Sequence, residues 1–255
     1  MEFTPVEFAA MWDELREEGL PEPLTYLAPA RTHAESVRDK RQAWQALRQR
    51  YGGELDLVTA TLSRPDIRVM VRGIDGRDPA NAKRVLRILA VRRGDHAYIV
   101  SQQPGEKIGE AAGFTLAQHE VLSLGDAVAA AFPVASAGNR RDFEIIDTAT
   151  SGMDFAYGRS LVHDDGDRSS LLGQEFLAEP EDLTGTIEIE QGWSRFGPRG
   201  VLRLYLVWRD VVDDGRYVIV PGSPMRAVSA DRKRLAALIN TQIAEVVRAI
   251  RDDRA

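Results

Sequence analysis

A nine-residue, mostly apolar stretch occurs twice in the chain, and this internal repeat limits the possible folds more than any other feature. The first copy runs from Val85 to Arg93 and the second from Val201 to Arg209, with five identical positions and one Ile/Leu exchange. Each copy follows a short alternating segment and a polar loop, and each precedes a tight turn and another apolar segment. Such an arrangement predicts antiparallel hairpins. The chain therefore reads as two related β-β-β-α halves.

The elements around the two copies occur in the same order, which argues against a chance similarity between β-rich segments. The strand, turn and helix start expected in each half are Ile67 to Val71, Arg93-Gly94-Asp95 and Ser123, and then Thr186 to Glu190, Asp213-Asp214-Gly215 and Ser229. Two halves of three or four antiparallel strands can join into one sheet about a pseudo-twofold axis. We therefore predict one α+β domain over residues 1–255, made of halves at about 1–135 and 136–255, with helices packed on one face of the sheet.

The N-terminal region predicts a short strand and then three helices. Thr4 and Glu7 form a capping box with a proline between them at the first helical position, so a helix should begin there. A second, amphipathic helix is predicted from about Thr32 to Tyr51, and a third around Glu54 to Leu62.

The middle of the chain, from about Ala135 to Gly185, has a weaker pattern. Apolar stretches at Phe143 to Ile146, Met153 to Tyr157 and Leu171 to Leu177 are interrupted by glycines and polar residues. We expect short helices and loops there, with a solvated loop at His163 to Asp167.

The repeat also predicts which face of the sheet is buried, because side chains alternate between the two faces of a strand. The set expected to point at the helices is Leu86, Ile88 and Ala90, matched by Leu202, Leu204, Leu206 and Trp208. The opposite face carries Arg87, Leu89, Val91 and Arg93, matched by Arg203, Tyr205, Val207 and Arg209. Arg and Tyr are enriched at the energetic centres of protein interfaces, so this face could bind a partner. The alternative is that the middle segment folds back and covers it.

The candidate partner-binding residues follow from this interpretation. On the second face of the sheet they are Arg87, Leu89, Arg203, Tyr205 and Arg209, and in the loop from Gln191 to Gly200 they are Trp193 and Phe196.

Composition and motifs argue against several classes of function. The absence of cysteine excludes disulfides, cysteine-ligated metals and cysteine nucleophiles. A net charge of -6 argues against a general nucleic-acid binder, although a small basic patch remains possible. The four histidines have no metal-pair spacing, and the usual nucleotide-binding and acyl-transfer motifs are absent. We expect a protein that is not an enzyme and has no cofactor or metal site.

The sequence also bears on localisation. The N-terminus lacks the basic start of a signal peptide, and no apolar run approaches the roughly 20 residues that would cross a bilayer. We therefore expect a cytoplasmic protein without membrane insertion.

Several segments resemble the EspG family of type VII secretion chaperones. The resemblance covers nearly the whole chain and is carried by Phe3 to Leu15, the Arg-Arg-Gly-Asp hairpin of Arg87 to Ala97, Ser101-Gln102-Gln103, Leu124 to Pro133, Gly185 to Ile189 and Arg209 to Tyr217. It implies a quasi-twofold fold in which helical bundles flank a central antiparallel sheet, in agreement with the repeat.

The resemblance also implies a function. It is that of a cytosolic chaperone of actinobacterial type VII (ESX) secretion, which binds helical PE/PPE heterodimers through the PPE tip and keeps them soluble. The loop from Gly73 to Lys83 is short and polar here, and this element varies within the family, so the particular partner stays open. The alternative is a non-catalytic regulatory or structural module of the same fold that acts by homodimerisation.

Overall fold

The computed structural model describes residues 1–15, 19–28, 32–145 and 164–254. The helices of these residues are α1 (Pro5–Asp13), α2 (His33–Tyr51), α3 (Glu54–Ser63), α4 (Leu124–Ala130), α5 (Asp164–Ala178) and α6 (Arg232–Arg254). The strands are β1 (Glu2–Phe3), β2 (Ile67–Asp75), β3 (Leu86–Arg93), β4 (His96–Pro104), β5 (Ala111–His119), β6 (Phe143–Ile145), β7 (Glu181–Gln191), β8 (Arg203–Val211), β9 (Gly215–Val220) and β10 (Met225–Ser229).

The ten strands form one antiparallel sheet in the order β1-β5-β4-β3-β2-β7-β8-β9-β10-β6. In each half of the sheet, four strands that follow one another along the chain lie side by side, and a short strand from an earlier segment closes the outer edge. Each half thus has one more consecutive strand, β5 or β10, than the β-β-β-α pattern contains. The predicted α+β fold with quasi-twofold symmetry is confirmed.

The quasi-twofold axis passes between Val71 and Ile187, which are paired at the middle of β2 and β7. Val201 stands 116 positions after Val85 in the repeat, and Ile187 stands 116 positions after Val71. Residues that the sequence repeat makes equivalent therefore face each other directly across the axis. The division of one domain into halves near residue 135 stays a prediction.

The centre of the sheet requires glycine at one position. A Cβ atom built on Gly185 would lie 1.8 Å from the carbonyl oxygen of Arg72 on the neighbouring strand. Gly185 pairs with Gly73, so the two central strands approach each other through a pair of residues without side chains. Glycine in a strand interior often marks such a close approach of two backbones.

One face of the sheet packs against α4 and α6, as predicted. Ile88, Ala90, Leu206 and Trp208 are fully buried in this core, together with apolar side chains of both helices. Leu86, Leu202 and Leu204 are partly buried against the same core. The prediction that α6 begins at Ser229 is wrong by three residues, because Ser229 is the last residue of β10 and pairs with Tyr217.

The other face of the first half is covered by α1, α2 and α3. The predicted capping box at Thr4 is present, because its hydroxyl accepts from the backbone N–H of Glu7. The second helix has the same kind of cap, which was not predicted: the hydroxyl of Thr32 accepts from the backbone N–H of Glu35. These helices bury a second core that includes Phe8, Leu47, Leu55, Met70, Leu89 and Val91. The expectation of helices on one face only is therefore wrong, since helices pack on both faces.

The other face of the second half is covered in part by α5 and β6. Phe176 of α5 is fully buried against Tyr217 and Ile219 of β9, with Ile145 of β6 beside them. The middle of the chain therefore does fold back over this end of the sheet. The prediction of a solvated loop is wrong for Asp164 to Asp167, which begin α5, while His163 and the stretch from Met153 to Tyr157 lie outside the described residues.

Candidate partner-binding surface

Among the described residues, no helix covers the middle of this second face, along β2, β7 and β8. We call this surface the open strip and define it by Arg68, Arg72, Glu188, Glu190, Arg203 and Tyr205. The alternation in β7 explains its composition, because Ile187 and Ile189 point into the core and the glutamates that follow each of them point to the strip. Tyr205 is 45% exposed. The open strip is thus a polar band between two apolar cores.

One row of the open strip is a charged cross-strand triplet. Arg68, Glu190 and Arg203 are direct neighbours on β2, β7 and β8. Arg68 Nη1 donates to Glu190 Oε1 at 3.1 Å and Arg203 Nε donates to Glu190 Oε2 at 3.1 Å. The carboxylate is buried beneath its two partners, so the atoms that reach solvent are mainly those of the guanidinium groups.

The next row is built on Glu188. Its carboxylate accepts from Tyr205 Oη at 2.9 Å and from Arg72 Nη1 at 3.3 Å, and Arg72 also pairs with Glu22 of the N-terminal segment. The hydrogen bond to Glu188, followed by burial, raises the pKa of Tyr205. The hydroxyl of Tyr205 and the guanidinium of Arg72 are thus bound to the same carboxylate.

The strip continues into the loop between β7 and β8, residues 192–202, which we call the aromatic loop. Trp193 and Phe196 are each 68% exposed, and the guanidinium of Arg195 lies 4.9 Å from the centre of the Phe196 ring. The loop begins beside Gln191 and ends at Arg203, so it adjoins the charged triplet. Aromatic and arginine side chains of this kind dominate binding energy at protein interfaces.

The aromatic loop is anchored at its base. Gly192 N donates to Asp66 O at 2.8 Å, and a Cβ atom at Gly192 would lie 1.8 Å from the carbonyl oxygen of Pro65. Gln191 Nε2 donates to Asp253 Oδ2 of α6 at 2.8 Å. Hydrogen bonds from Ser194 and Gln191 lower the pKa of Asp253 against the effect of burial. The exposed aromatic rings are thus carried on a base that α6 and the start of β2 hold in place.

Comparison with known proteins agrees with this architecture. The family model of the EspG family matches residues 4–241. The chain belongs to the EspG family. Among solved structures, the type VII secretion system chaperone EspG5 of Mycobacterium tuberculosis, in complex with a PE25-PPE41 dimer, is similar over 93% of each chain, with a TM-score of 0.55 and 12% sequence identity. That likeness shows the shared EspG fold. No curated protein matches the chain.

This EspG-family structure brings together four of the predicted residues. Arg203 and Tyr205 lie on the open strip, and Trp193 and Phe196 lie on the adjoining loop. Arg87 lies on the same face but is half-buried, and its Nη1 donates to Ile108 O at 2.9 Å. Burial, with a smaller effect from the charge of Arg72, lowers the pKa of Arg87.

The prediction of an accessible face is wrong at two positions. Leu89 is only 1% exposed because α1 to α3 cover it. Arg209 is 6% exposed, and its guanidinium donates to the carbonyl oxygens of Phe176, Leu177 and Glu179 at the end of α5. Arg209 therefore holds a helix of this EspG-family chain and does not face solvent.

Four residues of the open strip were missed in the sequence. Arg68 and Arg72 alternate with apolar residues in β2, as Glu188 and Glu190 do in β7. That alternation is visible in the sequence, but it does not show which side chains lie beside each glutamate. Only the pairing of β2 with β7 and β8 shows that each glutamate lies between basic or hydroxyl partners.

Two further observations limit the chemistry of the described residues. They contain no group of three or more histidine, aspartate or glutamate side chains that could hold a metal ion. None of the helices described in this EspG-family chain is long and apolar enough to span a bilayer.

Proposed function

We propose that this EspG-family protein is a cytoplasmic, non-catalytic chaperone of type VII (ESX) secretion. It binds a helical PE/PPE-type dimer and keeps that dimer soluble until the secretion machinery accepts it. Family membership supports the general role, and the related EspG5 was solved with a PE25-PPE41 dimer.

The observation that carries the proposal is the accessible surface formed by the open strip and the adjoining aromatic loop. Its aromatic side chains, Tyr205, Trp193 and Phe196, remain exposed, although helices cover the neighbouring strands on both sides. An exposed apolar tip on a helical substrate would self-associate in water, and a moderate interface on this surface would cover it. Binding of this kind requires no catalytic group.

We also propose that the two halves act as one domain in this role. The open strip takes Arg68 and Arg72 from the first half and Glu188, Glu190, Arg203 and Tyr205 from the second. The two strands that meet at the quasi-twofold axis form its floor. A partner on this surface would therefore contact both halves together.

Co-expression tests the proposal. The chain is produced with each PE/PPE-type pair encoded in its genome of origin, and complexes are isolated through a tag on the chain and sized by chromatography. We expect one stoichiometric complex with a helical heterodimer, and a pair that pellets without the chain. A lone homodimer in every combination would instead support the regulatory module, and a monomer that captures no pair would contradict the chaperone role.

Two double variants test the surface. Trp193→Ala with Phe196→Ala removes the exposed rings, and Arg203→Glu with Tyr205→Ala alters the strip. Each should weaken capture by at least about tenfold, since aromatic and arginine anchors dominate such interfaces. The matched control is Leu122→Ala with Val134→Ala, which removes two exposed apolar side chains near α4.

The control pair should retain capture, and all three proteins should melt within a few degrees of the parent. Full capture by both surface variants would show that the partner binds elsewhere. A large fall in melting temperature would show that the altered side chains support the fold.

A further inference from the structure

Four chain segments, one of which contains the aromatic loop, meet at one end of the open strip. They are residues 64–68, 92–95, 190–203 and 251–254. Asp66 joins them, because Gly94 N donates to its Oδ2 at 2.8 Å, Arg254 Nη2 donates to its Oδ1 at 3.0 Å and Gly192 N donates to its carbonyl oxygen at 2.8 Å. We call this region the arginine-rich end.

The arginine-rich end differs in charge from the rest of the protein. Its four segments contain nine arginines and five carboxylates, an excess of +4. The formal net charge of the whole chain is -6, so the remainder carries -10, the difference between -6 and +4. Positive charge is thus concentrated at one place on an acidic protein.

Three of the carboxylates are occupied within the fold. Asp66 binds Arg254 and the backbone of Gly94, and Glu190 lies between Arg68 and Arg203. Asp253 accepts from the aromatic loop. The arginines of the loop, Arg195 and Arg199, are exposed. The charge of Arg195 acts on Asp253 and helps to lower its pKa. The charge available to a partner is therefore positive.

The region also has a shape that suits a peptide segment. A groove of about 530 Å³ runs between the corner before β2, the aromatic loop and the end of α6, and Arg64, Arg68, Arg93 and Trp193 line it. Phe196 adds a second exposed ring on the same loop. A segment bound here would meet guanidinium donors and aromatic rings within one short stretch.

We propose that the arginine-rich end selects an acidic, amphipathic helical segment of the partner protein. Its Asp and Glu side chains bind the arginines of the groove and loop, and its apolar side packs on Trp193 and Phe196. Guanidinium groups bind carboxylates in a planar two-point geometry, which gives direction as well as attraction. This inference rests on the proposed function, because it names the chemistry of the partner that the same surface takes.

A protein segment fits better than a nucleic acid or an anionic membrane. A long polyanion would extend beyond the groove onto a surface whose remaining charge is -10, and it would be repelled there. A short acidic helix can place its charges on the arginines alone. The two exposed rings favour a ligand with an apolar side.

Selection from a library tests the inference without a known partner. Helical hairpins are displayed on yeast with randomised residues in the loop and in the helical turns on either side of it. The library is enriched for binding to the labelled, full-length protein. Clones that still bind the Arg195→Glu, Arg199→Glu variant are removed. Clones that no longer bind Arg38→Glu, a charge reversal at an exposed arginine of α2, are removed as a control.

We expect the retained loops to be rich in Asp and Glu, and replacement of those residues by Asn and Gln to weaken binding by about tenfold or more. Retained loops that are apolar without acidic residues, or basic, would overturn the proposal. A selection in which charge reversal at the aromatic loop removes no clone would also overturn it.

Competition separates the other polyanions. Duplex DNA and phosphatidylserine vesicles are titrated against a selected hairpin. If either binds more tightly than the hairpin, and loses binding in the Arg195→Glu, Arg199→Glu variant, the surface is not selective for protein and the proposal falls.

The outcome is distinguishable from a failure of the proposed function. Capture of a PE/PPE-type pair without acid preference in the library would leave the chaperone role and remove the inference. A preference for acidic residues in the library, without capture of any PE/PPE-type pair, would support the inference and contradict the chaperone role.

Discussion

Replacement of Arg209 by alanine removes the guanidinium that holds the C-terminal end of α5. Three carbonyl oxygens, of Phe176, Leu177 and Glu179, then lose their donor, at 2.7, 3.3 and 3.0 Å respectively. Glu181 loses its ion pair, and the Phe176 ring loses a guanidinium whose centre lies 4.9 Å away. Helix ends leave their last carbonyls without intrahelical partners, so these bonds have no substitute within α5.

The expected cost follows from burial. Removal of one partner from a buried, hydrogen-bonded ion pair costs about 3 to 5 kcal/mol. For a chain of this size that corresponds to a fall of roughly 6 to 20 °C in Tm, at about 2 to 4 °C per kcal/mol. Arg209→Lys keeps the charge but cannot reach several carbonyls at once, so its loss should be intermediate.

Arg203→Ala is the matched control, because Arg203 lies on the same strand and the same face but is exposed. Glu190, the carboxylate that Arg203 binds, keeps Arg68 as its second partner in this variant. An ion pair made by an exposed arginine contributes at most about 1 kcal/mol, so the variant should melt close to the parent. Urea unfolding followed by circular dichroism measures both variants. Equal losses for Arg209→Ala and Arg203→Ala would refute the assignment of Arg209 to the support of α5.

Two further stability measurements test the centre of the sheet and the second half. Gly185→Ala should destabilise the protein by more than about 2 kcal/mol, because the new Cβ atom would clash with the carbonyl oxygen of Arg72. Gly109→Ala is the control and should have little effect, because a Cβ atom there meets nothing within 4 Å. Similar losses of stability in the two variants would contradict the close approach of β2 and β7. Burial, together with a hydrogen bond to Asp214, raises the pKa of Tyr217 to about 12. Since the unfolded value is about 10, this stability is complete below about pH 10, and roughly 2 to 3 kcal/mol of it is lost as pH rises from about 10 to 12. Tyr217→Phe should lack that part of the pH dependence in urea unfolding, and an unchanged slope would count against the raised pKa.

Elements with strong local signals could be predicted from the sequence. The capping boxes at Thr4 and Thr32 specify helix starts through contacts within three residues. The alternation in the repeat correctly placed Ile88 and Leu206 in the core under α4 and α6. These features depend on neighbouring residues, so no knowledge of tertiary packing was needed.

The coverage of the second face could not be derived from strand parity alone. Leu89 and Tyr205 occupy equivalent positions of the repeat, yet helices cover the first and leave the second exposed. Parity assigns both to one face, and only the packing of distant helices decides which is accessible. The residue types did contain a signal, because the apolar member of the pair is the buried one.

The charged rows of the open strip and the start of α5 depended on long-range contacts. Glu190 has its partners on two other strands, and one of them, β2, belongs to the other half of the sheet. The acidic start of α5 is rich in aspartate and glycine, which are poor helix formers, and this favoured a loop. The helix is supported at its other end by Arg209, which lies 33 positions from Phe176 in the chain.

The pairing of β2 with β7 has a consequence for either half on its own. A fragment that ended near residue 135 would leave the whole of β2, nine residues, without a neighbour on one side. Unpaired edges of this length attract another strand. Because Val71 lies at the quasi-twofold axis, β2 of a second copy of the same fragment could pair where β7 pairs now. Two identical polypeptides would then form, as a homodimer, the arrangement that one chain builds by duplication.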